Sequence, residues 1–208
     1  LIVIRLHSSS VRLRGVDGTA VRVTDPTGSL ERSVRIERAP GSLSIRATHT
    51  DRSFSIGRAS LDIVAGRHVP DLQIDVPRGA TVVIETASGD VAVDGLTGDQ
   101  RYRTASGEID LRDVAGQIAL DGVSGDVVMQ IAGPSSIAAR TVSGDLRIRG
   151  DHDLAASRIA TTSGDVWLEG RFTGPGPFSI ETVSGDTTLV PGGGVRLEIK
   201  SVTGDVRS

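Results

Sequence analysis

The residues with chemical potential recur along the chain. Ser-Gly-Asp stands at Ser88-Gly89-Asp90, Ser124-Gly125-Asp126, Ser143-Gly144-Asp145, Ser163-Gly164-Asp165 and Ser184-Gly185-Asp186. Close variants are Ser106-Gly107-Glu108 and Thr203-Gly204-Asp205. Successive motif glycines are 18 to 21 residues apart. If each repeat is one layer of a stack, the third position becomes a row of carboxylates: Asp90, Glu108, Asp126, Asp145, Asp165, Asp186 and Asp205. Carboxylates about 5 Å apart repel one another, and a cation such as Ca²⁺ would relieve them. Against this, Asp in a turn caps its own corner by accepting backbone N–H groups. The calcium-binding nonapeptide solenoid also needs Gly-Gly-x-Gly ahead of its Asp, whereas here a single Gly precedes the acid. The Gly and acidic positions therefore read as structural corner residues, and no cofactor or metal is expected.

The other reactive side chains are sparse. The repeat serines exist in many equivalent copies with no His at a fixed offset, so they do not read as nucleophiles. The four His, at 7, 49, 68 and 152, lack metal-ligand spacing. There is no Cys, which removes disulfides, thiolate nucleophiles and iron–sulfur clusters. Gly192-Gly193-Gly194 lacks the Lys-Ser/Thr of a phosphate loop. Two residues before each Ser lies a second column, Thr86, Thr104, Gly122, Thr141, Thr161, Thr182 and Ser201. It suits a strand face, and an exposed flat version could bind ice. Trp167, Phe172 and Phe178 are three of only five aromatics. They could form one small exposed patch for a partner or glycan, or a local cluster covering an edge of the stack. No acid–base pair is singled out, so a polysaccharide-cleaving solenoid is the weakest reading and no catalytic residue is assigned.

The spacing of these residues requires a particular scaffold. Each Gly is followed by alternating apolar positions, as in SGDVAV, SGEIDL, SGDLRI and SGDVWL. Alternation with period two means a strand with one face buried. Thr97-Gly98-Asp99 and Ala115-Gly116-Gln117 fall midway between motif copies, so two corners close one coil. No coil buries its apolar row alone; stacking makes the core continuous. The expected fold is all-β: a parallel β-solenoid of about 18–21 residues per coil, with an irregular β cap at the N-terminal end. The crossover rule favours right-handed coiling. Insertions at Gly133-Pro134, Asp151-His152-Asp153, Gly174–Pro177 and Pro191–Gly194 all fall on the side without the motif.

Residues 1–78 lack the motif but still read as strands, with turns at Asp25–Gly28 and Ala39-Pro40-Gly41. The chain divides into irregular coils or a cap over 1–78 and the repeat solenoid over 79–208, in one continuous domain. A cap is physically required, because an open solenoid end is a bare sheet edge. The 208 residues carry 26 Gly, and the net charge is −3 from 23 basic and 26 acidic residues. That balance argues against a nucleic-acid binder. No apolar run approaches the length of a membrane span. Both ends look cut from a longer protein, with any targeting segment outside the chain.

The stretch Asp71-Leu-Gln-Ile-Asp-Val-Pro-Arg-Gly-Ala80, then Val82-Val-Ile-Glu-Thr-Ala-Ser-Gly-Asp-Val91, then TVSGDL, TTSGDV and TVSGDT, resembles the bacterial DUF4097 family of adhesin-like proteins with β-strand repeats. The resemblance covers residues 30 to 208. It implies a solenoid-like domain of envelope or extracellular proteins with no established catalytic residues. It points to a non-enzymatic binding or scaffold module with a protein, glycan or cell-wall partner. The alternative it implies is a regulatory sensor domain of a cell-envelope stress system.

Overall fold

The computed structural model describes residues 1–24, 34–47, 53–56, 59–62, 71–153, 157–173, 178–192 and 197–208. Among these residues there are strands and turns and no helix, and hence no helix long and apolar enough to cross a membrane. The strands stack in parallel as a β-solenoid with two main faces. The first face runs through Ser42–Ala47, Ile2–Leu6, Val82–Ser88 and Gln100–Ser106. It continues through the later parts of Ile109–Ser124 and Val127–Ser143, then Arg158–Ser163, Phe178–Ser184 and Leu197–Thr203. The second face stacks Leu72–Pro77, Val11–Val16, Val91–Asp94 and the early parts of Ile109–Ser124 and Val127–Ser143. Leu146–Arg149, Val166–Gly170, Thr187–Pro191 and Val206–Arg207 complete it. The Ser-Gly-Asp motif is the corner between the faces.

The expected alternation sets the core. Ile84, Tyr102, Leu120, Ala139, Ile159 and Ile180 share one inward row of the first face and are all buried. Val91, Ile109, Val127, Leu146 and Val166 do the same on the second. Among the polar groups that enter this interior, Tyr102 and Gln100 form a satisfied pair. The Tyr102 hydroxyl donates to Gln100 Oε1 at 2.7 Å. Gln100 Nε2 donates to the carbonyls of Leu96, Gly98 and Ala115 at 3.3, 3.2 and 3.0 Å. Burial pushes the Tyr102 phenol well above its ordinary pKa.

The motif glycine is fixed by two independent constraints, seen at Gly144. Its φ of 123° is one that L side chains avoid. A Cβ there would also fall on the carbonyl of Gly125, one coil back. Gly125 stands in the same relation to Gly107, and Gly89 to Ser9.

That last contact reveals a threading absent from the motif pattern. The coil formed by Ile2–Leu6 and Val11–Val16 lies inside the stack. One neighbour is Val82–Ser88 with Val91–Asp94; the other is Ser42–Ala47 with Leu72–Pro77. The chain makes the middle coil first, then the outer one, then crosses back. Arg78 sits at this crossing. Its backbone N–H donates to Val16, its Nε to Asp17 at 3.2 Å, and its guanidinium to the Gly95 carbonyl at 3.3 Å. The outer coil is covered by antiparallel strands: Arg22–Thr24 pairs with Leu72–Pro77, and Val34–Ala39 with Ser42–Ala47. The hairpin between the last two turns at Pro40-Gly41. Most of the Gly174–Pro177 and Pro191–Gly194 insertions, with His49 and His68, lie outside the described residues.

Candidate interaction faces

The acidic column has a direct geometry. Asp90 Oδ1 accepts the backbone N–H of Glu108 at 3.0 Å. Asp126 accepts that of Asp145 and Asp145 that of Asp165, both at 2.9 Å. Asp165 accepts that of Asp186 at 2.8 Å, and Asp186 that of Asp205 at 2.9 Å. The expectation that each Asp caps its own corner is corrected here: the N–H belongs to the next coil. The reason is the glycine before the acid, which brings successive corners together and leaves that N–H facing the preceding carboxylate. Among the described residues Glu108 makes no such bond to Asp126; its carboxylate is one methylene farther from the backbone. No group of three or more His, Asp or Glu is arranged to hold a metal among the described residues.

Two members of this column escaped the motif search. Asp71 Oδ1 accepts the N–H of Ser10 at 3.3 Å, and the register aligns Leu72, Val11 and Val91. Asp71 and Ser10 thus occupy the place of Asp90. The signal was in Asp71-Leu72-Gln73-Ile74, which repeats the acid–apolar–x–apolar order of Asp90-Val91-Ala92-Val93 without the Ser-Gly.

The threonine column points inward. Thr86, Thr104, Thr141, Thr161 and Thr182 are buried. Thr104, Thr141 and Thr161 donate their hydroxyls to the carbonyls of Ser106, Ser143 and Ser163. The column offers no exposed threonine ladder, so the ice-binding surface is not formed by these residues. In each of these Thr-x-Ser copies the Thr is the buried residue, while the Ser, at the corner where the strand ends, is exposed.

The aromatic residues do not form one exposed patch. Phe178 is fully buried, and Phe172 packs on it edge-to-face with ring centroids 5.7 Å apart. These two form a core cluster because Phe178 falls on an inward position. Trp167 lies on the outer side of the second face, between buried Val166 and Leu168. There the Arg149 guanidinium stands 4.6 Å from its ring centroid, and Arg149 also bridges to Glu169 at 3.1 Å.

The outer side of the first face carries two regular rows. One is charged: Arg5, Glu85, Arg103, Asp121, Arg140, Ala160, Glu181 and Lys200. Arg5–Glu85 is 2.7 Å, Arg103–Glu85 3.2 Å and Arg103–Asp121 3.7 Å. Arg158 reaches across to Glu181 at 2.6 Å, and this hydrogen bond holds the Glu181 carboxyl below its ordinary pKa. Beside it runs an exposed β-branched row: Val123, Val142, Thr162, Val183 and Val202. Where the rows pass Ala160 they frame an open depression of about 490 Å³, walled by Arg140, Glu181 and Lys200.

The family model described as Toastrack DUF4097 matches residues 69–174. The chain belongs to this family. In this Toastrack chain the match takes in Asp71 and the acidic column as far as Asp165. No curated protein matches the chain. A crystal structure of a candidate adhesin from Parabacteroides merdae is similar at 10% identity and a TM-score of 0.35, covering 99% of this chain and 91% of that one.

Proposed function

We propose that this Toastrack domain is a non-enzymatic binding or scaffold module of the bacterial cell envelope. It engages a protein, glycan or cell-wall partner through its repetitive outer surface. The observation that carries this reading is the first face. Its outward side chains stand in straight charged and β-branched rows, one coil apart, on a continuously hydrogen-bonded scaffold. A rigid array of this kind loses little conformational freedom on binding an extended partner. The family resemblance supports the envelope setting. The acidic column serves the scaffold in this reading, since its Oδ1 atoms are engaged by backbone N–H groups. The test is a glycan array including peptidoglycan fragments, with a pull-down from envelope extract of the native host. Retention of a partner that is lost on substitution of Arg103 or Trp167 is expected. Cleavage of a polysaccharide in the array, or no retained partner, would overturn the reading.

A further inference from the structure

The two outward rows of the first face are self-complementary, and we infer that this face pairs with a second copy of the same chain across a two-fold axis. Over five coils the charged row reads Asp121, Arg140, Ala160, Glu181, Lys200, in register across the strands. A second copy is turned over about an axis parallel to the strand Arg158–Ser163 and passing above Ala160. It then presents the same row reversed. Lys200 meets Asp121, Glu181 meets Arg140, and Ala160 meets Ala160. Every charge in the row opposes its opposite, and the smallest side chain lies on the axis, where the depression leaves room for close approach.

The neighbouring row obeys the same operation. Val202 meets Val123, Val183 meets Val142, and Thr162 meets Thr162. Val123, Val142, Val183 and Val202 are 53%, 48%, 49% and 78% exposed, an apolar stripe that the copy would cover. In the third row the axis brings the two Arg158 near each other. Each is drawn toward Glu181 of its own chain at 2.6 Å, so Glu181 stands between Arg158 and the copy's Arg140.

The break at Ala160 distinguishes this region from the rest of the row. Toward the N-terminal end, Arg5, Glu85, Arg103 and Asp121 satisfy one another within the chain. Arg140 makes no ion pair among the described residues: its neighbour on one side is Ala160, and Asp121 on the other is engaged by Arg101 and Arg103. A C2 contact uses one patch twice, so a palindromic pattern is what such an interface requires. The patch is about 19 Å long at coil spacing, which places the dimer in the weak, transient class.

Sedimentation velocity of the 208-residue chain, from about 10 to about 500 µM, tests this. The mass is expected to rise toward twice the monomer across that range. R140E and V183K should each weaken association at least tenfold, while circular dichroism and the urea midpoint show that the variants are folded. The charge swap R140E/E181R restores the opposed pair and should restore association. A monomer at all concentrations overturns the proposal. So does association unchanged by R140E and V183K, or a folded swap variant that stays monomeric.

Discussion

Asp145 and Asp165 are joined across a coil boundary: Asp145 Oδ1 accepts the Asp165 backbone N–H at 2.9 Å. The same atoms recur from Asp126 to Asp145 and from Asp165 to Asp186. Each acid thus satisfies a donor that a corner would otherwise leave to solvent, much as a cap does at a helix end.

Asp145→Ala removes that acceptor and is expected to cost about 1 kcal/mol. Asp145→Asn keeps an oxygen in place and should cost about half as much. Urea denaturation midpoints of the three proteins rank them. Because the carboxylates are engaged with backbone N–H groups, about 1 mM Ca²⁺ should leave the thermal midpoint unchanged; an upward shift would assign the column to cation binding.

Gly144→Ala meets both a φ of 123° and the Gly125 carbonyl. The combined strain is expected to cost about 3 kcal/mol or more. Gly79→Ala is the control, since a Cβ at Gly79 meets nothing within 4 Å and its φ lies outside the range L side chains avoid. It should change stability by less than about 0.5 kcal/mol. Equal effects at the two sites in chemical denaturation would contradict the role given to the motif glycine.

Tyr102 is the chain's one tyrosine, so phenolate absorbance reports on it alone. Burial raises its folded pKa, so the folded state holds the phenol proton more tightly than the unfolded chain does. This contribution to stability is intact below the unfolded pKa of about 10 and is lost as pH rises beyond it. The phenolate should therefore appear only with loss of the β-sheet signal. A titration near pH 10 with the fold intact would show that the hydroxyl reaches solvent.

Glu181 is shifted the other way, first by its hydrogen bond with Arg158. A carboxyl with a lowered folded pKa contributes stability above its unfolded pKa and loses it as pH falls through the folded one. Glu181→Gln should lower the urea midpoint slightly at neutral pH, as expected of an exposed pair. The gap from the parent protein should close at acid pH, below the ordinary glutamate range. A gap that stays constant with pH would assign the effect to something other than charge.

The sequence alone was sufficient for the features whose causes are local. Alternation at Val91-Ala92-Val93 decides which side chains face inward, because strand residues alternate whatever lies above and below. The glycine spacing decides the length of a repeat coil, because glycine takes the positive φ of these corners without the strain a side chain would meet. The strands near Ile2–Leu6, Val11–Val16 and Leu72–Pro77 were legible for the same reason. Tertiary structure decided what depends on which coil lies beside which. Nothing local to Ile2 says that it stacks on both Leu43 and Val82, since one apolar strand row accepts many others almost equally well. The order adopted brings distant residues together, as in the contacts of Arg78 with Asp17 and Gly95. The same dependence moved the Asp145 bond to the next coil. It also set Arg140 beside Ala160, a neighbour 20 residues away in the chain that only the stacking register supplies.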